Sequence, residues 1–324
     1  MRTAARFPAL PPSRGHYESF YLKAAAPAGG RAVWIRHTVH RRPGRPLTGA
    51  VWLTYFDAQR DGPVALKSRH TDAEIAVPDG AYLRIGEAEI APGRAAGAIA
   101  TARWNLRYSD RHEALHHLPR ESMYEAKLPR TKLLSPHPGA SFDGTLELDG
   151  ERIDLDGWPG MVGHNWGSEH ADSWTWIHGA GFGDDGAGFF DLGAGRIRLG
   201  PLRTPWLANG MLALDGERHR IGGLRPRSSK IDARPGRCEF SARGEGITVR
   251  GTVSAPLARF VGWEYADPAG GTHGSLNCSI ADLELTVSRT GRGDVTISVR
   301  GGAAYELGTG DRDHGIPIQP YPDG

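Results

Sequence analysis

The chain has 324 residues, 39 % hydrophobic and 23 % charged, which is enough apolar material to bury a core and too much for a disordered segment. With 39 basic and 37 acidic side chains the formal net charge is +2, and the arginines are spread along the chain, which argues against a nucleic-acid or anionic-membrane partner. No apolar run approaches the roughly 20 residues that cross a bilayer as a helix, and "MRTAARFPALPPSRG" lacks the apolar stretch of a secretory leader, so a cytoplasmic protein with no integral membrane segment is expected.

Glycine (45) and proline (23) are abundant without low-complexity repeats, which points to many turns between many short strands. "RAVWIRHTVH" alternates strictly: Val33, Ile35, His37 and Val39 fall on one face, Trp34, Arg36, Thr38 and His40 on the other. "AVWLTYFDA" follows a Pro/Gly turn, and "AYLRIGEAEIA" and "GAIATARWNLRYS" are the next strands. Between Ser109 and Asp143 the alternation lapses amid Pro119, Pro129, Pro136 and Pro138. This stretch reads as a lid or mouth loop with one short helix around "RHEALHHL", and His112, His116 and His117 read as solvated loop residues.

Strands resume at "GTLELDGERIDLDG", where Asp149-Gly150 marks a hairpin turn. The core Leu-x-Leu-Asp-Gly-Glu-Arg occurs at 146–152 and again at 212–218, suggesting two related β units. The turn-rich "LGPLRTPW", 199–206, is the expected boundary, giving domains 1–200 and 201–324, the first carrying the HNWG and WTW motifs. No segment keeps a helical period, so the expected fold is all-β, with two barrel-like or sandwich-like domains in tandem. Cys238 and Cys278 form no CxxC pair; a disulfide between them is allowed but not required.

The densest chemistry lies in "GMVGHNWGSEHADSWTWIHGAGF", 160–182. As a strand, its second half puts Trp174, Trp176, His178, Ala180 and Phe182 on one face and Ser173, Thr175, Ile177 and Gly179 on the other. Two readings stand: the wall of a pocket for a flat or elongated apolar molecule, or a core strand. The glycines bounding "GHNWG" suggest a tight turn that sets His164, Asn165 and Glu169 near the strand's mouth. A metal held by His164, His170 and His178 with Glu169 matches no standard zinc spacing, so no metal is expected. A Ser-His-Asp hydrolase lacks its Gly-x-Ser-x-Gly elbow, and "GAGFGDDGAG" reads as a hairpin rather than a phosphate loop. "GAGFFDLGAG" pairs with the tryptophan strand and turns Phe189 and Asp191 the same way. A carboxyl against an apolar wall has a raised pKa and becomes a candidate proton donor; the alternative is a surface acid beside a turn.

"GHNWG", "SWTWIHG" and "FFD", together with "HYESFYLKA", "AVWIRHTV", "LPRTKLLSPHPGASFDGTLELDG" and "AAYELG", resemble the tandem lipocalin-like (calycin) proteins. That family includes carotenoid 1,2-hydratase, tocopherol cyclase, AttH-like proteins and decalin-forming pericyclases. The resemblance implies two lipocalin-like β-barrel domains, a hydrophobic cavity at or near their junction, no organic cofactor, and an isoprenoid or polyketide substrate. In the hydratase type a Tyr-x-Asp pair follows the tryptophans. Asp191 matches its acid, while Phe189 stands where the tyrosine would be, so the partner hydroxyl is missing.

Three functions follow. The first is a cofactor-independent enzyme that hydrates, cyclises or isomerises a lipophilic molecule. Its candidate catalytic groups are Asp191, His164 and Glu169, with Asn165, Trp166, Trp174, Trp176, His178 and Phe189 holding the substrate. The second is a carrier that binds such a molecule and does no chemistry. The third is a protein whose tryptophans are packed core.

Overall fold

The computed structural model describes residues 3–199 and 201–321. Two antiparallel sheets, each curled into a nearly closed barrel, account for most of the chain, and the fold is all-β as expected. In the first sheet, Val64–Thr71, Thr48–Asp57, Arg31–Arg41 and His16–Ala25 lie side by side. Glu151–Gly167 pairs on the far side of His16–Ala25, then come Thr131–Leu148, Ala102–Ser109 and short edge strands. The second sheet centres on Ser173–Phe182, which pairs with Gly188–Arg196 on one side and Val295–Thr309 on the other. Thr272–Arg289 lies next to Val295–Thr309 and also receives the short strand Val261–Ala266.

The first strands bury both faces, which explains their polar content. On His16–Ala25, Phe20, Leu22 and Ala24 enter the core of the first barrel, while Ala25 belongs to the core of the second and Tyr21 packs on Trp176. Arg31–Arg41 repeats this: Val33, Ile35 and Val39 point into the first barrel, and Trp34 joins the second core. The two barrels are therefore packed wall to wall, and the outward residues of the first are the inward lining of the junction.

The chain leaves the first sheet after Gly167 and enters the second at Ser173. The tryptophan strand thus belongs to the second sheet, and the division expected at 200/201 falls inside that sheet. The turn-rich stretch at 199–206 forms a small hairpin of Arg198–Leu199 with Leu202–Arg203 between two strands of one barrel, and the true crossing is the short "SEHAD".

The expected long loop also ends earlier. Thr131–Leu148 is one 18-residue strand, and Pro136 and Pro138 sit where its pairing shifts register, between Leu134, His137 and Ala140. Proline has no N–H to give the ladder, and a bulge is where none is required. The helix expected near "RHEALHHL" is absent; Leu115–His116 bridges to Leu134 and Ser135, and the helical turn is Ser122–Glu125. "GHNWG" is extended strand, not a turn. Its Gly163 serves close approach instead, since a Cβ there would stand 2.1 Å from the Tyr21 ring. Both Asp-Gly hairpins form with left-handed backbone, φ 52° and 82° at Asp149-Gly150 and 54° and 75° at Asp215-Gly216. Cys238 and Cys278 are buried and unpaired.

Lys23 is a buried ammonium with no carboxylate in ion-pair range among the described residues; it donates to the Gly302 carbonyl. Burial lowers its pKa from 10.5 to about 7. The unfolded chain therefore binds the extra proton between those values, so this group makes stability rise with pH across that window, with its full penalty below it. Lys23→Met is expected to stabilise the protein by about 1–4 kcal/mol at about pH 6, with the gain shrinking towards about pH 10. Urea unfolding at the two pH values checks this; a gain independent of pH would show that the ammonium carries no such penalty.

Candidate active site at the barrel junction

A cavity of about 570 Å³ opens where the two barrels meet. The first sheet contributes Tyr21, Trp34, Arg36, Thr131, Leu133 and Asn165, and the second contributes Trp174, Trp176, Gly193, Asn209, Tyr265 and Glu306. Leu118, Met123, Leu128 and Pro129, from the segment between the first sheet's strands, close over it. The rim is charged: Arg130 pairs with Glu169, and Arg198 and Arg203 pair with Asp172. An apolar, aromatic interior with few polar groups and a charged mouth suits a lipophilic molecule.

The cavity's width comes from a pairing of large with small. Trp174 lies opposite Gly195 and Trp176 opposite Gly193 in the ladder, so each indole has no side chain across from it. On the other flank Trp174 lies over Gly308, where a Cβ would come within 2.0 Å of its ring. Trp176 is held by Tyr21, Met161 and Ala304 and by a 2.9 Å hydrogen bond from its indole N–H to Asp191 Oδ1.

Asp191 is fully buried behind Trp176. Its Oδ2 accepts from Ser135 Oγ at 2.6 Å and lies 3.4 Å from His117 Nε2. Burial pushes this carboxyl up, but the charge and hydrogen bond of His117, the charge of His178 and the bond from Ser135 outweigh it and bring it down to about 2. The expected raised acid is thus an ionised carboxylate, because its neighbours are donors from distant strands and not an apolar wall.

His117, expected to be solvated, is buried and lines the cavity. Its Nδ1 lies 3.1 Å from the Asn209 carbonyl, which can only accept, so Nδ1 carries a proton. Its Nε2 lies 3.1 Å from Ser135 Oγ, whose own proton goes to Asp191. Every contact is therefore satisfied by a ring with both nitrogens protonated, facing a carboxylate. Gly193 lies beside that edge, where a Cβ would stand 3.7 Å from Nδ1 and only 2.7 Å from Leu133 Cδ2.

A second polar group lies on the same cavity. His170 Nδ1 and backbone N–H both meet Asp267 Oδ1 at 2.7 Å, and His273 Nε2 meets the other oxygen at 3.0 Å. Burial lowers the His170 pKa against the pull of Asp267, and burial's opposite push on Asp267 is overcome by its two histidines. Tyr17 stacks on His170 at 3.9 Å. Glu306 accepts from Trp174 Nε1 at 2.8 Å and from Asn277 at 3.1 Å.

Of the residues singled out from sequence, Asn165, Glu169, Trp174 and Trp176 line the cavity and Asp191 stands just behind it. His164, Trp166, His178 and Phe189 do not line it. His164 points into the first barrel, stacked on Phe20 and bonded to buried Glu18 at 2.8 Å. Trp166 packs against Tyr124 and Leu134, and Phe189 against Leu115 and Ala180. His178 meets the Pro138 carbonyl at 2.8 Å, and burial, first among its causes, lowers its pKa to about 4. His164, His170 and His178 thus lie in three separate settings, and among the described residues no three His, Cys, Asp or Glu side chains are placed to hold one metal ion. Sequence reasoning missed His117, Ser135, Arg36 and Glu306. The one available signal was that Arg36 shares the outward face of its strand with Trp34.

No protein-family model matches the chain. An uncharacterized protein of Mycobacterium tuberculosis, found in strains H37Rv and CDC 1551, is 26 % identical over 316 residues, covering 95 % of this chain and 93 % of its own. Among solved structures, an AttH-like protein from Nitrosomonas europaea superposes with a TM-score of 0.60 at 16 % identity, covering 95 % of this chain and 97 % of that one. Kievitone hydratase from Nectria haematococca superposes with a TM-score of 0.52 at 8 % identity, covering 93 % and 91 %. Among the described residues no helix is long and apolar enough to cross a membrane. The chain therefore has the lipocalin-like tandem-barrel fold of the AttH-like protein and kievitone hydratase, the fold its sequence resemblance implied.

Proposed function

We propose that this chain is a cofactor-independent enzyme that hydrates, cyclises or isomerises a lipophilic isoprenoid or polyketide by proton transfer in the junction cavity. His117 is the proton donor, and Asp191 is the ion that holds it charged. The observation that carries this reading is the hydrogen-bond set around His117, which, with Asp191 ionised, is complete when both ring nitrogens are protonated, on a residue that lines the cavity. The name of kievitone hydratase, which shares the fold, supports the reaction class.

The chemistry follows from the geometry. A substrate double bond at the Nδ1 edge displaces the Asn209 contact and takes that proton, forming a C–H bond at one carbon and leaving positive charge at its neighbour. The faces of Trp174 and Trp176 stabilise that charge. His117, now neutral, keeps its Nε2 proton towards Ser135 and Asp191, so the ring stays oriented. In hydration, water adds to the cation and returns a proton to Nδ1. In cyclisation or isomerisation, an adjacent C–H returns it instead. Either way the histidine ends as it began.

The test is to extract the lipophilic molecules that co-purify with the protein and incubate them with it in heavy water. Mass spectrometry should find a product carrying one solvent deuterium on carbon. Recovery of every bound molecule unchanged and unlabelled would leave the carrier as the correct description.

A further inference from the structure

The cavity also holds a charge that no carboxylate among the described residues pairs with. Arg36 is 4 % exposed and lines the cavity from the first sheet. Its guanidinium lies 3.9 Å from the centre of the Tyr265 ring and 5.5 Å from that of Trp52. Nε and Nη1 are buried with no hydrogen-bond partner. No carboxylate forms an ion pair with it among the described residues. Of the acids lining the cavity, Glu306 accepts from Trp174 and Asn277, Glu169 pairs with Arg130, and Asp172 pairs with Arg198 and Arg203; Asp267, outside the lining, is held by His170 and His273. A guanidinium does not shed its proton to escape burial as a lysine does, so an unpaired one in a nearly dry wall is a standing electrostatic penalty.

We propose that the ligand of this cavity is an amphipathic organic acid whose carboxylate pairs with Arg36 while its apolar body lies along Trp174 and Trp176. This rests on the junction cavity being the ligand site and adds the ligand's charge. Tyr265 holds the guanidinium against its ring; the guanidinium Nε and Nη1 are closed to water as they stand, and a small shift of the side chain into the cavity brings an N–H edge to a planar oxyanion, the geometry at which arginine recognises carboxylates best. The low dielectric of the cavity strengthens the pair, and the charge that is costly without a ligand becomes an anchor with one.

The probes are pyrenebutyrate and pyrenebutanol, which share one apolar body and differ in the charged end. Titrated by fluorescence into the intact protein, the acid should bind at least about 10-fold more tightly than the alcohol, a difference typical of a charge-assisted pair in a dry site. Arg36→Met should abolish that preference and leave alcohol binding unchanged or tighter, while Arg36→Lys, which keeps a charge, should retain part of it. Equal binding of the two probes by the wild type, or a preference that survives in Arg36→Met, overturns the inference while leaving the cavity as a lipophile site. Failure of both probes to bind overturns the inference and the cavity reading together. The wild-type comparison decides the matter even if a variant does not fold.

Discussion

His117→Gln is expected to lower turnover of the true substrate by about 10²–10⁴-fold, the range associated with loss of a general acid. Glutamine is close in size, and its amide can still donate to the Asn209 carbonyl that now lies 3.1 Å from Nδ1. It cannot carry a transferable proton. The cavity walls are otherwise untouched, so affinity for a lipophilic ligand should hardly change, and kcat should fall without a matching rise in KM. Parallel measurement of binding and turnover separates the two. A variant that turns over normally moves the proton to another titratable group lining the cavity, such as Glu169 at the rim, His170, His273 or Glu306.

Asp191→Asn is expected to cost both stability and activity. The carboxylate accepts from Trp176 and Ser135 and faces His117 in a fully buried setting. An amide keeps one acceptor but points its NH₂ at groups that need an acceptor. Removing one partner of a buried, hydrogen-bonded charge pair costs about 3–5 kcal/mol. The sign with pH follows from the folded value of about 2 against the ordinary aspartate value of 3.8. The native carboxylate's extra stability is fully present above the unfolded value and is lost as pH falls through about 2. The carboxyl's own contribution to the gap between wild type and Asp191→Asn is therefore constant above its unfolded value and shrinks only in acid. Denaturant unfolding from about pH 5 down to about pH 2 reads this contribution, and a gap that widens across that acid window would mean that Asp191 is protonated in the native state. Because both residues act through one ion pair, the double variant with His117→Gln should lose less than the sum of the single losses.

Much of this architecture was legible in the sequence. Strict alternation in Arg31–Arg41 assigned Trp34 and Arg36 to one face, and that face is the one turned to the second barrel. The two Asp-Gly turns formed as read, and the tryptophan strand did so as far as Ala180, because each depends on local rules of backbone sign and side-chain period; a bulge after Ala180 then turns Phe182 into the core with Ile177. The reading failed where distant partners decide. Pro136 and Pro138 disguised a strand because their effect is neutralised by bulges that only the partner strand reveals. The neighbours of Asp191 in sequence are apolar, so burial alone argued for a raised acid. Ser135 and His117, 56 and 74 positions away by subtraction of the residue numbers, reverse the sign. His117 itself lay in a stretch with no period, so nothing local marked it as buried. Glycine at 163 permits a bend, but its purpose, space for the Tyr21 ring on the paired strand, is a contact between elements that local rules do not show.

The central claim is that the proton at the cavity wall sits on His117 and not on Asp191. Nitrogen NMR of protein labelled in its histidine rings, with His117 assigned by its loss in His117→Gln, measures this most directly. Near neutral pH the account predicts that both His117 nitrogens bear hydrogen, that the Asp191 carboxyl carbon has the shift of a carboxylate, and that Asp191→Asn returns the ring to a single proton. A neutral His117 ring beside a protonated Asp191 would contradict it.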